Sequence, residues 1–510
     1  MIALTVAQIA AIVGGELADI SAEDAASRYV TGTVEFDSRK VTSGGLFLAL
    51  PGARADGHDH AASAVAAGAV AVLAARPVGV PAIVVAPDPH AAPRPDARLA
   101  GVLQHDTDGS GAAVLAALAK LAAAVAAELV AGGLTIVGIT GSSGKTSTKD
   151  LLAAVLAPLG EVVAPPGSFN NELGHPWTVL RATAATDYLI LELSARHPGN
   201  IAALAAIAPP AIGVVLNVGT AHLGEFGSRE AIARTKSELP QAVPRSGVAV
   251  LNVDDPAVAA MAEVTAARVA RVSRNSQTDV WAGPVTLDEL ARPQFALHSA
   301  DDVVDVTLAV HGDHQVGNAL CAAAVALECG ATLELVAAAL ADAVPVSGHR
   351  MRVSTRADGV TVIDDAYNAN PDSMRAGLQA LAWISAGSGA DRRRSWAVLG
   401  EMAELGDDAI SEHDRIGRLA VRLDVSRLIV VGTGRSMSAM HHGAVMEGAR
   451  GLEGGPEAAV AADADAALAL LRAELQPGDV VLVKASNAAG LGALADSLAD
   501  SAIDGRGDTR

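Results

Sequence analysis

The sequence predicts an α/β protein of three domains, and three observations carry that reading. From Leu134 onward, short apolar runs alternate with Gly-containing turns and helical segments, the pattern of a parallel sheet covered on both faces. A second series of the same kind begins at Val360. The first hundred residues follow neither series: they hold short strands near residues 33–36 and 45–50, then a Pro-rich polar link over residues 87–111. No internal repeat of fixed period is present.

In the first series, LTIVGIT (residues 134–140) reads as a strand that feeds a helix over residues 145–156. YLILEL (188–193) precedes a helix over 200–207, and AIGVVLN (211–217) precedes one over 228–239. These strands are continuous Val, Ile and Leu runs, as sheet interiors require. An Ala-rich helical stretch over 318–343 then leads into PVSGHR, where a boundary is expected near Val346. The second series runs through VTVIDD (360–365), SWAVLG (395–400), LIVVG (428–432) and DVVLVKA (479–485). The expected domains are residues 1–105, 106–346 and 347–510.

Composition narrows the function. Of 510 residues, 51% are apolar and 18% charged, which excludes a disordered chain. Lys and Arg total 37 against 57 Asp and Glu, a formal charge of -20. Such a surface repels polynucleotides, while a locally positive pocket can still take a small anion. Aromatic residues make up 2%, too few for base-stacking platforms. Cys321 and Cys329 read as buried thiols of a reducing compartment. The first basic residue is Arg28, so the apolar N-terminus lacks the charged flank of a signal peptide. The tract 112–134 carries Lys120 and Glu128 and is mostly alanine, which suits an amphipathic or buried helix better than a bilayer span. The expectation is a soluble, cytoplasmic monomer with no membrane insertion and no nucleic-acid partner.

The strongest local signal is GSSGKTS: Gly141, Ser142, Ser143, Gly144, Lys145, Thr146 and Ser147, between a strand and a helix. Glycines let backbone N–H groups close around phosphate oxygens at a helix N-terminus. Lys145 is placed to hold β/γ-phosphates, and the Thr146 hydroxyl to ligate Mg²⁺. The longer P-loop pattern wants a glycine where Ile139 stands. No guanine-reading N-K-x-D motif is present. Glu192 ends a buried strand, where an acid beside a P-loop can ligate Mg²⁺. His222 lies in NVGTAHLGEFG, and Lys236 follows fourteen residues later. Singly, these read equally as a strand-end acid, a loop histidine, and a solvated lysine paired with Glu230 or Glu238. Their joint order is what informs.

With these motifs the chain resembles the Mur ligase family, ATP-dependent amide-forming enzymes of peptidoglycan precursor synthesis, over essentially its whole length. The family's shortened loop TGxxGKT fits and accounts for Ile139. The resemblance implies Glu192 as a magnesium ligand, His222 as ligand of a second metal ion, and Lys236 as a carbamylated lysine. It implies adenine contact by Asn318, phosphate contact by Arg350 in His349-Arg350-Met351, and nucleotide contact by Asp365 in DDAYNANPDSM. The same stretch brings Tyr367, Asn368 and Asn370 toward substrate. SFNNELGHP, with Asn170 and Asn171, joins YNANP and GEMAELG with His413 in pointing to the member that adds D-alanyl-D-alanine to UDP-N-acetylmuramoyl-tripeptide. FDSRKVTSGGLFLALPGARADGHDH (residues 36–60) resembles the segment that holds the uridine diphosphate, where Ser38 and Arg39 offer a hydroxyl and a forked cation. Without the resemblance, Arg39 reads as an ordinary surface residue. KASNAAG, at Lys484, departs from the family's KGS and leaves that lysine without an assigned role.

The implied fold is an N-terminal α/β uridine-diphosphate-binding domain, a central P-loop parallel-sheet ATPase domain and a C-terminal Rossmann-like α/β domain. The implied chemistry activates a peptide carboxylate as an acyl phosphate, which the incoming amine then attacks. Charge neutralisation by Lys145, Thr146, Glu192 and Mg²⁺ carries the phosphoryl step, and closure of the third domain assembles the site. Alternatives are a related ligase acting on a UDP-muramyl-dipeptide, a folylpolyglutamate-type ligase, and a P-loop regulator that does not ligate.

Overall fold

The computed structural model describes residues 1–53, 55–87, 103–219, 223–386, 392–448 and 457–500. Among them, three sheets follow one another along the chain.

The first sheet has five strands in the order Glu16–Ala18, Ala82–Val84, Ala69–Ala74, Gly45–Leu48, Val34–Glu35, parallel except for the first pair. The helix Val6–Val13 beside it starts with a reciprocal cap. The Thr5 hydroxyl accepts the Gln8 N–H at 3.1 Å, and the Gln8 side chain accepts the Thr5 N–H at 2.8 Å.

The helix Ser110–Ala131 is long and apolar enough to cross a membrane by composition, but half of it is buried inside the protein. It packs on Val6–Val13 and Ala69–Ala74 of the first unit and on Gly174–Val179 and Asn200–Ile207 of the second. Val114, Leu118, Leu121 and Val125 share one apolar cluster with Ile9 and Val13 on one side and Leu189 and Leu191 on the other. The expected link therefore ends in a joint common to two units.

The central sheet runs parallel through Val162–Val163, Tyr188–Glu192, Thr135–Thr140, Ile212–Val215, Val248–Asn252, Arg268–Ser273 and Val280–Ala282. Antiparallel strands Pro293–Ser299, Thr286–Leu287 and Asp302–Thr307 extend it, an addition to the all-parallel sheet the sequence suggests. Helices Lys145–Leu156, Gln315–Glu328 and Leu333–Asp342 cover one face. Ser110–Ala131, Asn200–Ile207 and Glu238–Ala242 cover the other. The helix expected over 228–239 breaks at Ser237 into Arg229–Lys236 and Glu238–Ala242.

The third sheet orders Arg352–Thr355, Thr361–Asp365, Val480–Lys484, Ser395–Leu399, Arg427–Val431 and Glu457–Ala461, parallel after its first, antiparallel pair. Pro371–Ala386, Ala409–Arg422 and Arg435–Gly448 pack on one face, Ala464–Glu474 and Gly492–Asp500 on the other. Cys321 is buried and Cys329 half-buried, both free thiols, and burial pushes them up to about 12 and about 11.

Candidate active site

Parallel strands aim their C-terminal ends at one edge of a sheet, and ligands collect there. At that edge of the central sheet, Thr135–Thr140 lies between Tyr188–Glu192 and Ile212–Val215. Glu192 pairs in register with Ile139, so the strand delivers its carboxylate beside the loop that follows Thr140. Gly144 enters the helix Lys145–Leu156 at φ +84°, and a Cβ there would meet the Asn318 side-chain oxygen at 2.6 Å. Asn217 fixes the loop from the neighbouring strand: its Oδ1 accepts the N–H groups of Ser142 and Ser143 at 2.9 and 3.0 Å. The Ser142 hydroxyl accepts the Gly219 N–H at 2.9 Å.

Charged groups converge on this loop. The Lys145 ammonium donates to the Gly141 carbonyl at 2.8 Å. Burial lowers its pKa, the Glu192 charge opposes that, and Arg350 reinforces it. Glu192 is wholly buried. Its Oε2 accepts from Thr146 Oγ1 at 3.3 Å and Asn170 Nδ2 at 3.4 Å, while its Oε1 has no hydrogen-bond partner. A buried carboxylate oxygen without a donor, beside a hydroxyl, is a ready seat for a hard divalent cation. Lys236 is also buried, at the end of Arg229–Lys236. Burial, and then the Lys145 charge, hold its amine well below the ordinary lysine range. Neither acid proposed as its surface partner is available: Glu238 accepts the N–H groups of Gly199 and Ala202 at 2.7 and 2.9 Å, and Glu230 is exposed in its own helix's first turn.

The third unit supplies the opposite wall. Arg350 donates to Thr146 Oγ1 at 3.3 Å, and its guanidinium lies 4.3 Å from the Tyr367 ring centre. Asp365 accepts from Lys484 at 2.5 Å and from the Met351 N–H at 3.1 Å. Asn370 caps the helix Pro371–Ala386, its Oδ1 accepting the Ser373 N–H at 2.8 Å. A cleft of about 750 Å³ results, lined by residues from both units.

Most of the expected site residues meet here. Gly144, Ser142, Ser143, Lys145, Thr146, Ser147, Asn170, Asn171, Asn318, Arg350, Asp365, Asn368 and Asn370 all line the cleft. Asn170 is tied to Ser168, Ser194 and Glu192, and Asn171 caps Gly174, so both shape the wall. Ser38 and Arg39 lie elsewhere, on the turn Ser38–Lys40 of the first unit. Arg39 is exposed and held by two 2.8 Å bonds to Asp37, whose carboxyl this pair draws down to about 2. His222 lies outside the described residues.

Sequence reasoning missed Asn217, although a polar residue directly after a central strand could have marked it. It also missed the buried trio Lys149, Asp150 and Ser347. Lys484, left without a role, is a buried counter-ion of Asp365.

Comparison with known proteins agrees with this geometry. Residues 32–125 match the Mur ligase family catalytic domain, 139–326 the Mur ligase middle domain, and 349–487 the Mur ligase glutamate ligase domain. A Mycobacterium bovis protein, UDP-N-acetylmuramoyl-tripeptide–D-alanyl-D-alanine ligase, is 79% identical over 505 residues, 98% of each chain. A crystal structure of MurF from Acinetobacter baumannii superimposes with a TM-score of 0.79 at 28% identity, covering 98% of this chain and 99% of that one. MurF ligase from Thermotoga maritima, solved in complex with ADP, gives 0.72 at 26% identity over 92% and 97%. With all three units matched in order and near-complete relatives at this identity, the chain belongs to the Mur ligase family.

Proposed function

We propose that this chain joins D-alanyl-D-alanine to UDP-N-acetylmuramoyl-tripeptide at the expense of ATP, in the cytoplasmic stage of peptidoglycan precursor synthesis. The observation that carries this reading is the 79% identity over 98% of the chain to a ligase of that name. The cleft supports it chemically. A P-loop, a buried carboxylate and a facing wall that carries a cation are what phosphoryl transfer to a carboxylate needs, since the protein's task there is alignment and neutralisation.

ATP phosphates lie along residues 141–147, with the Lys145 ammonium turning from the Gly141 carbonyl to the β/γ-phosphates. Arg350 faces the same phosphates from the third unit. An oxygen of the tripeptide carboxylate attacks the γ-phosphorus, the bond to the β-phosphate oxygen breaks, and ADP is the leaving group. The dipeptide amine then attacks the acyl carbon, phosphate departs and the amine gives up a proton. Mg²⁺ fits the orphaned Glu192 Oε1 with Thr146 beside it, and when bound it neutralises phosphate charge. His222 and Lys236, carbamylated on Nζ, would hold a second metal ion in this reading. Ser38 and Arg39 hold the uridine diphosphate on the first unit.

Purified protein supplied with ATP, UDP-N-acetylmuramoyl-tripeptide and D-alanyl-D-alanine tests the reading by mass spectrometry. The expected product is the acceptor plus the dipeptide less one water, with one ADP and one phosphate released. Product formed only from a UDP-muramyl-dipeptide and a single amino acid would replace this substrate pair with another of the family's.

A further inference from the structure

The Lys145–Leu156 helix turns a second pair of charged side chains away from the P-loop and into the protein. Lys149 is 2% exposed and wholly enclosed, yet it is not among the residues that line the cleft. The ammonium donates to the Pro165 carbonyl at 2.8 Å and to Ser347 Oγ at 2.9 Å, and it forms an ion pair with Asp150 Oδ1 at 2.7 Å. Asp150 in turn accepts from Ser347 twice, from its N–H at 3.1 Å and its hydroxyl at 3.1 Å. The triangle closes on itself with every polar atom used. Burying such a network is costly unless complete, and this one is complete.

Ser347 is the point of interest, because it stands three residues before Arg350 in the connection between the second and third units. Downstream, that connection is pinned to the third unit on both sides of the arginine. His349 Nδ1 bonds Asp364 Oδ2 at 2.8 Å, and the Met351 N–H bonds Asp365 Oδ1 at 3.1 Å. Both flanking residues sit in the left-handed region, at φ +55° and +52°. Non-glycine residues stay there only where their surroundings hold them. A crank so constrained delivers Arg350 to Thr146, but only if its upstream end is fixed to the P-loop helix.

We propose that Lys149, Asp150 and Ser347 form a buried latch that positions Arg350 against the P-loop, so that these three are positioning residues for phosphoryl transfer. The latch ties together the P-loop helix, the 164–168 loop that leads to Ser168 and Asn170, and the inter-unit connection. It registers the third unit's arginine to the second unit's phosphate site without touching a substrate. The inference rests on the proposed contact between Arg350 and ATP phosphates.

The test is a double-mutant cycle in the full-length chain, reading kcat, the KM for each substrate and thermal stability. Ser347→Ala removes one hydroxyl and should lower kcat about tenfold, with the KM for the UDP-linked substrate unchanged. Asp150→Ala removes both bonds to Ser347 and should lower kcat further. Because it also strands the Lys149 ammonium in a dry site, Ser347→Ala alone decides if that variant does not fold. In an Arg350→Ala background, neither change should lower kcat again. The latch is overturned if the full loss recurs in that background, or if the variants melt earlier while keeping wild-type kcat. Arg350→Ala with wild-type kcat would instead remove the assigned role of the arginine, a failure of the reading beneath the proposal.

Discussion

Two buried bases show how burial sets chemistry at single residues. Carbon dioxide adds only to a neutral amine, and burial, followed by the charge of its neighbour Lys145, lowers the Lys236 pKa well below the ordinary lysine range and so favours that form. A carbamate there would turn a repelling cation into an oxygen ligand. Lys236→Ala should therefore lose about two to three orders of magnitude in kcat, and a short added carboxylate should restore part of it. Lys236→Arg, which keeps the charge, should fare no better; an active Lys236→Arg enzyme rules the carbamate out. His175 is the second base. It is wholly buried, which pushes its imidazole down to about 4, against a smaller pull from the backbone of Glu192 and Leu204. The unfolded chain takes up a proton near pH 6.5 while the folded one does not, so stability must fall as pH drops from 6.5 towards 4. The loss amounts to about 3 kcal/mol and should level off below pH 4. Urea melts of the wild type and His175→Leu across that window check it: the variant should lack this component, and parallel curves would refute it. GSSGKTS was legible because a phosphate loop is built by contiguous residues. The burial of His175 and of Lys149 was not, since nothing local separates a buried histidine or lysine from an exposed one.

Among elements, the loop over residues 400–406 shows how a short motif becomes a docking surface. His413, buried, accepts the Met402 N–H at 2.9 Å through Nε2 and donates to the Ala409 carbonyl at 2.6 Å through Nδ1. Ser486 Oγ accepts the Ala403 N–H at 2.9 Å. So braced, the loop presents Glu404 to Arg196 of the second unit at 3.0 Å. It also presents Gly406, at φ +58°, to Gly224 of the helix Leu223–Phe226. A Cβ on Gly224 would lie 2.7 Å from the Gly406 backbone, a distance no side chain tolerates. Gly224→Ala should therefore hold the third unit off the P-loop and lower kcat about tenfold while thermal stability stays near wild type. Unchanged kcat would mean the glycine contact has no part in assembling the cleft. GEMAELG stands out in the sequence, but its partner across the interface does not, because the pairing is long-range. The parallel strands were legible as unbroken apolar runs. The antiparallel pair Pro293–Ser299 and Asp302–Thr307 escaped notice because its two-residue turn carries φ +50° on Ala300, without the glycine or Asn-Gly signal that marks a hairpin.

Across the whole molecule, the three units are joined by different materials. The second and third units meet through polar contacts around the cleft and through a small apolar contact in which Ala291 and Leu287 join the third unit's core. The first and second are fused by the apolar Ser110–Ala131 helix and by an aromatic seam. In that seam Trp177 packs edge-on to Phe36 at 5.9 Å and tilted on Phe169 at 4.7 Å, while its Nε1 donates to the Val34 carbonyl at 2.8 Å. In a chain with few aromatics, gathering them at one joint argues for a stiff connection between the first two units. The tripeptide's nucleotide end can then be anchored on the first unit while its reacting carboxylate reaches the P-loop edge of the second. Arg39 lies on the first unit, outside the cleft, and Asp37 already orients its guanidinium fork. A diphosphate arriving there meets an aligned cation in a protein whose surface is otherwise strongly acidic. Arg39→Ala removes that cation and leaves the Asp37 carboxylate to repel the ligand. The KM for the UDP-linked substrate should rise about tenfold or more, while that for ATP stays within about twofold. Steady-state kinetics with each substrate varied in turn gives both values. Equal rises in the two constants would mean that the arginine does not read the nucleotide end at all.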